Sequence, residues 1–479
     1  MIIDASPTKT FFVDMLTRDI ELEDAILDLL DNCIDGIQRT IRGREVKDRP
    51  YQGFWAKISF GETGFIIEDN CGGIPLAVAQ AYAFRMGRPA GSNDDYPSIN
   101  AIGTYGIGMK RAIFKMGRSS EVISQTESES FRVTITPEWI SSDNWELPFE
   151  SIEKLTENNG TRISVTKIRE SIHEEFTSPK STLNNSLVGK IAHHYSYIIK
   201  KGFTVYVNNK KVEHSSFELL WEGDGKITAS HQEVIAPYLY TSKYEEISIE
   251  LAVGFYQKNI ATEDEIEQEN EGIRKTSENA GWTIICNDRV VVYRDKTRLT
   301  GWGEAGLPSY HPQFISIAGI VHFRCHDPRK LPITTTKRGL DLSSDVYLYT
   351  KNFMRDGLKI FTSYTNKWKS DIPQEREIMK STRLIDPNLI FSHIPIEIWT
   401  KTKKRSSAKN INIIEEKYYK PSLPLPTQGA KSDRSKNIKF SRKPDEVKLV
   451  SEYLFEDEER DANEVGNECF EKILKEAQG

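Results

Sequence analysis

The stretch ELEDAILDLLDNCIDGIQRT, residues 21–40, decides the fold. Leu22, Ala25, Ile26, Leu29, Leu30, Cys33, Ile34 and Ile37 recur at steps of three and four, the period of an amphipathic helix. Gly36 weakens that expectation only in the last turn. Asp24, Asp28, Asp31, Asn32 and Asp35 stand on the other face. Spacings of four and then three residues set Asp28, Asn32 and Asp35 along one side, a turn apart. A like-charged ladder costs an isolated helix roughly a few tenths of a kcal/mol per pair. Two readings stand here. One is a solvated acidic face; the other is a set of hard oxygen donors for a divalent cation, mounted on a rigid element.

The chain around this helix has 479 residues, a length that suits two or three domains. Hydrophobic residues make up 38% and charged residues 28%, which permits a sizeable core under a polar surface. The net charge of −6 is too small to argue for a polyanionic partner of the whole chain. Cys33, Cys71, Cys286, Cys325 and Cys469 form no CxxC pair, which fits a reducing compartment and argues against structural zinc. The run HFRCH, 322–326, alternates as a strand does rather than spacing metal ligands. No leader pattern opens the chain and no apolar run approaches bilayer length. A cytoplasmic protein without membrane contact is expected.

Before the helix, Phe11, Phe12, Met15, Leu16 and Ile20 suggest a short helix packed on the body. After it, WAKISF and TGFIIEDN read as two strands, the second ending in EDNCGGIP, 68–75. An Asp at a strand end followed by paired glycines sets a carboxylate beside backbone that can be approached closely, although these are also ordinary turn residues. PLAVAQAYAFRMG reads as a helix and the polar segment 88–102 as a loop. IGTYGIGMKRAIFKMG, 102–117, then puts Gly103, Gly106 and Gly108 before a helix start carrying Lys110 and Arg111. Free amides at a glycine-rich helix entry make an anion site. Neither a Walker A loop nor a dinucleotide fingerprint is present. Strands SSEVISQT and SFRVTITP and the turn-strand NNGTRISVTKI, 158–168, complete an antiparallel sheet with helices on one face.

Taken in order, the helix with Asn32, the EDNCGGI strand end, the GTYGIGMK loop and the NGT turn resemble the four boxes of the GHKL ATPases. That superfamily includes gyrase, MutL, histidine kinases, the ninety-kilodalton heat-shock chaperones and the MORC ATPases. The run AIGTYGIGMKRAIFKMGRSSEVIS resembles the MORC branch and its prokaryotic relatives. The resemblance implies an α+β chain. Residues 1–175 would form a Bergerat-fold two-layer α/β sandwich with a mixed, mostly antiparallel sheet. Residues 176–365 would form an S5-like α/β transducer, and 366–400 a helical extension. Composition adds a basic flexible linker over 401–445, where Lys and Arg outnumber acids, and an acidic helix over 446–479.

The resemblance also implies roles. Asn32 would hold Mg²⁺, Asp69 would accept from the adenine amino group, and Thr161 would support that contact through a water. Asp35, Gly73 and Ile74 would line the adenine side. Gly103, Thr104, Tyr105, Gly106, Ile107, Gly108, Met109 and Lys110 would wrap the phosphates, and 88–102 would be a lid. Lys337 in PITTTKRG would sense the γ-phosphate, with Lys330 as the fallback. Asp28 stands where the family carries a catalytic Glu, and Cys71 replaces the first glycine of DxGxG. The implied function is a slow, Mg²⁺-dependent ATPase that closes as a homodimer clamp, with DNA or an operon-encoded protein as partner, on the pattern of restriction or phage-defence systems. A nucleotide-sensing scaffold with little hydrolysis is the alternative. A histidine kinase would need a phosphoacceptor hairpin ahead of the ATP domain.

Overall fold

A computed structural model describes residues 8–42, 48–85, 107–222, 233–258, 266–268, 276–334, 337, 339–369, 371–401, 413–426 and 441–478. The chain divides into two units, Met1–Pro426 and Thr427–Gly479.

The first unit opens with helices α1 (Lys9–Arg18) and α2 (Leu22–Thr40). The apolar stripe of α2 is buried throughout, with Ala25, Ile26, Leu30 and Ile37 at 0% exposure. Each such aliphatic side chain contributes about 1.5–3 kcal/mol by leaving water. Strands β1 (Trp55–Gly61) and β2 (Gly64–Asp69) follow, then a one-turn helix α3 (Leu76–Val78) that loosens into a π turn at Ala79–Ala83. Next come α4 (Gly108–Met116), β3 (Gly117–Gln125), β4 (Ser130–Ile135), α5 (Pro137–Ser141), β5 (Phe149–Ser151) and β6 (Gly160–Ile168). Helices α6 (Glu170–Thr177), α7 (Leu183–His194) and α8 (Ser196–Lys200) lead to β7 (Thr204–Val207) and β8 (Lys210–Lys211).

These strands make one sheet, ordered β5-β4-β3-β6-β2-β1-β7-β8, in which β1 and β7 are the parallel pair and the others antiparallel. The α2 stripe joins Ile58, Phe65, Ile67, Val122 and Val165 of the sheet in a single core. That core runs on through Leu187, Ile191 and Phe203 to Val212, so the sheet does not end at residue 175. The segment FTVYVNNKKVEH, expected in the second block, supplies β7 and β8 here instead. Alternation marks a strand but not the sheet that receives it. Two expectations for the N-terminus also divide. A helix forms at α1, but Lys9, Val13 and Thr17 are its buried residues while Phe11 and Met15 are exposed.

A second sheet is built from β10 (Tyr238–Tyr244), β11 (Ile247–Phe255), β12 (Gly281–Cys286), β13 (Arg289–Asp295), β14 (Ile317–Arg324), β16 (Thr400–Lys401) and β17 (Ile413–Tyr419), in the order β13-β12-β14-β11-β10-β17-β16. HFRCH contributes to β14, as its alternation predicted. The 24-residue helix Asp345–Trp368 packs Phe353, Met354, Leu358 and Phe361 against this sheet. Strands β9 (Leu219–Glu222) and β15 (Thr382–Ile385) pair separately. Within the expected linker, β17 is a paired strand, bonded to β10 from Leu239↔Tyr419 to Tyr244↔Ile413. Residues 402–412 and 427–440 of that segment lie outside the described residues. The second unit holds the helices Pro444–Phe455 and Ala462–Gln478.

Candidate functional site

The open side of α2 meets the N-terminus of α4. A Cβ on Gly108 would stand 3.3 Å from the Asp28 Cβ, so the glycine lets the two helices close on each other. Asp28 is buried at 3% exposure and ion-paired to Arg111, one turn into α4. The Arg111 contact is to Oδ2. Asn32, one turn along α2, is exposed, and its amide has no partner among the described residues. Asp35 completes the ladder and is buried. A helix face with buried carboxylates flanking one open amide is unlike a solvated acidic face, whose members would all be exposed.

The strand end of β2 forms the second wall. Asp69 Oδ1 accepts from the Cys71 N–H at 2.7 Å and the Thr161 N–H at 3.3 Å. Thr161, expected to support the adenine contact through a water, reaches the carboxylate with its backbone N–H. That approach needs Gly160, since a Cβ there would stand 1.8 Å from the Asp69 carbonyl oxygen. Desolvation pushes the Asp69 carboxyl up to about 6, against the hydrogen bonds from Cys71, Cys33 and Thr161 that favour the carboxylate. Cys71 occupies the first glycine position of the motif without strain, because Gly72 (φ +96°) and Gly73 (φ +70°) take the left-handed conformations of this turn. The Gly73 carbonyl accepts from Arg39, and the Ile74 N–H donates to Ser124 Oγ at 2.6 Å.

Cys33, Asp69 and Cys71 bring their donor atoms within 4.8 Å of one another. The Cys33–Cys71 contact and burial push the Cys33 thiol well up, and burial pushes Cys71 up to about 11. Both thiols are buried in the core between α2 and the β2 turn.

Other expected residues are placed differently. Ile107 caps the start of α4 and Met109 is buried in its first turn. Lys110 is buried too, with its ammonium donating to the Ala83 carbonyl at 2.7 Å, so it ties α4 to the turn after α3. Arg111, which the sequence reading left without a role, is the cation beside Asp28. Gly103, Thr104, Tyr105, Gly106 and the expected lid 88–102 lie outside the described residues. Lys330 pairs with Glu246 at an exposed position on the second sheet.

Lys337 does cross to α2, but to its far side. Its ammonium lies 3.0 Å from Asp31 Oδ2, while Arg289 Nε and the Tyr195 hydroxyl each reach Oδ1 at 2.6 Å. Asp31 is 0% exposed. Burial alone would raise its pKa; the Arg289 and Lys337 charges and the Tyr195 hydrogen bond outweigh it and hold the group at about 2. Arg289 follows the two-residue turn Asn287–Asp288 (φ 47° and 70°) that joins β12 to β13, the left-handed pair typical of a tight hairpin. Beside it, Asp288 accepts from Tyr51 at 3.0 Å and Lys201 at 2.7 Å. The second sheet thus inserts one hairpin tip and one lysine loop against the helix that carries the open ladder. None of Asp31, Tyr195 and Arg289 was singled out from sequence as a site residue.

Among the described residues, no helix is long and apolar enough to cross a membrane. No curated protein matches the chain. Residues 20–173 match the family model for histidine kinase-, DNA gyrase B-, and HSP90-like ATPases, a span that holds the open ladder, Asp69, Gly108 and Gly160. Over these residues the chain is thus similar to the GHKL ATPases.

Proposed function

We propose that this protein binds Mg-ATP between α2, the β2 strand end and the start of α4, hydrolyses it slowly, and uses the cycle to switch conformation as a homodimer clamp. The observation that carries this reading is the exposed Asn32 amide, without a partner among the described residues, on α2 between buried Asp28 and Asp35, with Gly108 bringing the start of α4 against Asp28. Asn32 would hold the Mg²⁺, which would supply charge neutralisation during phosphoryl transfer. The chain's own groups fit that role. Asn32 offers a hard oxygen, and the first turn of α4 presents its backbone N–H groups. Asp69 offers a carboxylate as acceptor for an adenine amino group.

Asp28 is the candidate base. Its Oδ2 is held by Arg111, so proton abstraction from a water falls to Oδ1 or requires Arg111 to move. We read the Asp31–Lys337 pair as the resting position of Lys337, from which it would transfer to the γ-phosphate and turn the second sheet relative to the first. A DNA or protein client, a MORC-like identity and a place in phage defence are extensions of this reading by analogy. The Arg111–Asp28 pair favours one second reading, a nucleotide-sensing scaffold whose base is occupied. Phosphate release by wild type and Asp28→Ala separates the two. The switch predicts turnover in wild type and a loss of about 100-fold or more in the variant, with ATP still bound. Wild type that binds ATP and never releases phosphate supports the scaffold.

A further inference from the structure

The second sheet carries a cleft of about 840 Å³ that plays no part in the nucleotide site. It lies between the helix Asp345–Trp368 and the edge made by β16 and β17. On the helix, Lys359, Ser363 and Lys367 are spaced by four residues and so share one face, the two lysines roughly 12 Å apart along the axis. Across the cleft stand Lys401 and Lys420. All four lysines are exposed, and none of their ammonium groups has a partner among the described residues.

The acids in the lining do not offset this charge. Glu416 Oε1 already accepts from the Tyr240 and Tyr349 hydroxyls at 2.9 and 2.7 Å, which leaves Asp356 against four cations. The neighbouring sequence has the same sign as the cleft. Residues 402–412 carry Lys403, Lys404, Arg405 and Lys409 with no acid, and 427–440 carry Lys431, Arg434, Lys436 and Lys439 against Asp433. The net charge of both segments is positive. Between the lysine rows the wall is aromatic. Tyr349 and Tyr418 are half-buried, with Tyr418 stacked on Tyr238 at 6.2 Å and Tyr349 beside Phe353 at 5.5 Å.

We propose that this cleft binds single-stranded nucleic acid, its phosphates held by Lys359, Lys367, Lys401 and Lys420 and its bases stacked on Tyr349 and Tyr418. Two cationic rows over an aromatic wall meet the two needs of an unpaired strand, backbone neutralisation and a face for each base. A duplex hides its base faces, and a simple polyanion has none.

The test is fluorescence anisotropy of a labelled oligothymidylate about a dozen nucleotides long, titrated with the full chain without ATP. With all four lysines on phosphates, the logarithm of affinity should fall against log salt with a slope of about −2.8, at about −0.7 per contact. Lys359→Glu with Lys367→Glu should weaken binding at least about tenfold and bring the slope to about −1.4. Tyr349→Leu and Tyr418→Leu should each weaken it, with Phe restoring affinity at either position, in proteins whose circular dichroism and melting match wild type. Lys210→Glu with Lys211→Glu, at the far edge of the first sheet, serves as the charge control. An equal loss in that control would overturn the site. Equal affinity for a duplex would overturn the single strand. Undiminished binding by the leucine variants, with equal competition by inorganic polyphosphate, would overturn the nucleic-acid assignment.

Discussion

Helix α2 carries two carboxylates three residues apart, and they live in opposite surroundings. Asp28 faces α4 within its own domain and touches one cation; Asn32 beside it is open. Asp31 faces the second sheet and is closed off by Arg289, Lys337 and Tyr195. One side of the helix leaves the Asn32 amide exposed and without a partner among the described residues, and the other has its charge spent on holding two sheets together. Under the proposed function, a single element would serve as both the wall of a site and the anchor of a neighbouring domain, and ligand contacts on the first face would reach the second through a rigid helix. The coupling claim is physical only if the two faces respond differently to change.

The largest expected effect is on the closed side. Asp31→Ala leaves Arg289 and Lys337 buried without their counter-charge, a loss of about 3–5 kcal/mol in chemical unfolding. The same loss should not appear for Asp28→Ala, whose partner Arg111 is closer to solvent. Acid provides the parallel experiment. Asp31 has a folded-state pKa of about 2, below the unfolded value, so its stabilisation is present above about pH 4 and is lost as pH falls toward 2. Asp31→Asn should flatten the unfolding profile in that window. Equal destabilisation by Asp28→Ala and Asp31→Ala would dissolve the contrast between the faces.

A smaller, separate effect belongs to Asp69, the proposed adenine acceptor. Asp69 must be ionised to accept from an adenine amino group without competition from its own proton. With its carboxyl pushed up to about 6, ATP affinity should be steady near pH 8 and fall by up to about tenfold per unit below pH 6. Asp69→Asn should be weak at every pH. Affinity that stays constant from pH 8 to pH 5 would remove Asp69 from adenine recognition.

Much of the open face was legible in the sequence because its signals are local. The period of residues 22–37 gives the buried stripe of α2, the four- and three-residue steps give the ladder, and a strand-end Asp followed by Gly72–Gly73 gives the tight turn. The closed face was not legible. Arg289 and Lys337 lie 258 and 306 residues from Asp31 in the chain, and no periodicity relates them. Lys110 and Arg111 are neighbours in sequence, and only the packing of α4 shows that the second meets Asp28 while the first turns to Ala83. Strand β17 was hidden in a different way. The lysine-rich residues around it dominated the composition of 401–445, masking a short paired strand.

If Asn32 anchors Mg-ATP to the open face of α2, calorimetric titration shows it directly. Wild type should bind Mg-ATP in one saturable event that Asn32→Ala abolishes. The variant's melting temperature should stay within about two degrees of wild type, as expected for an exposed side chain. Unchanged affinity in Asn32→Ala would contradict the account.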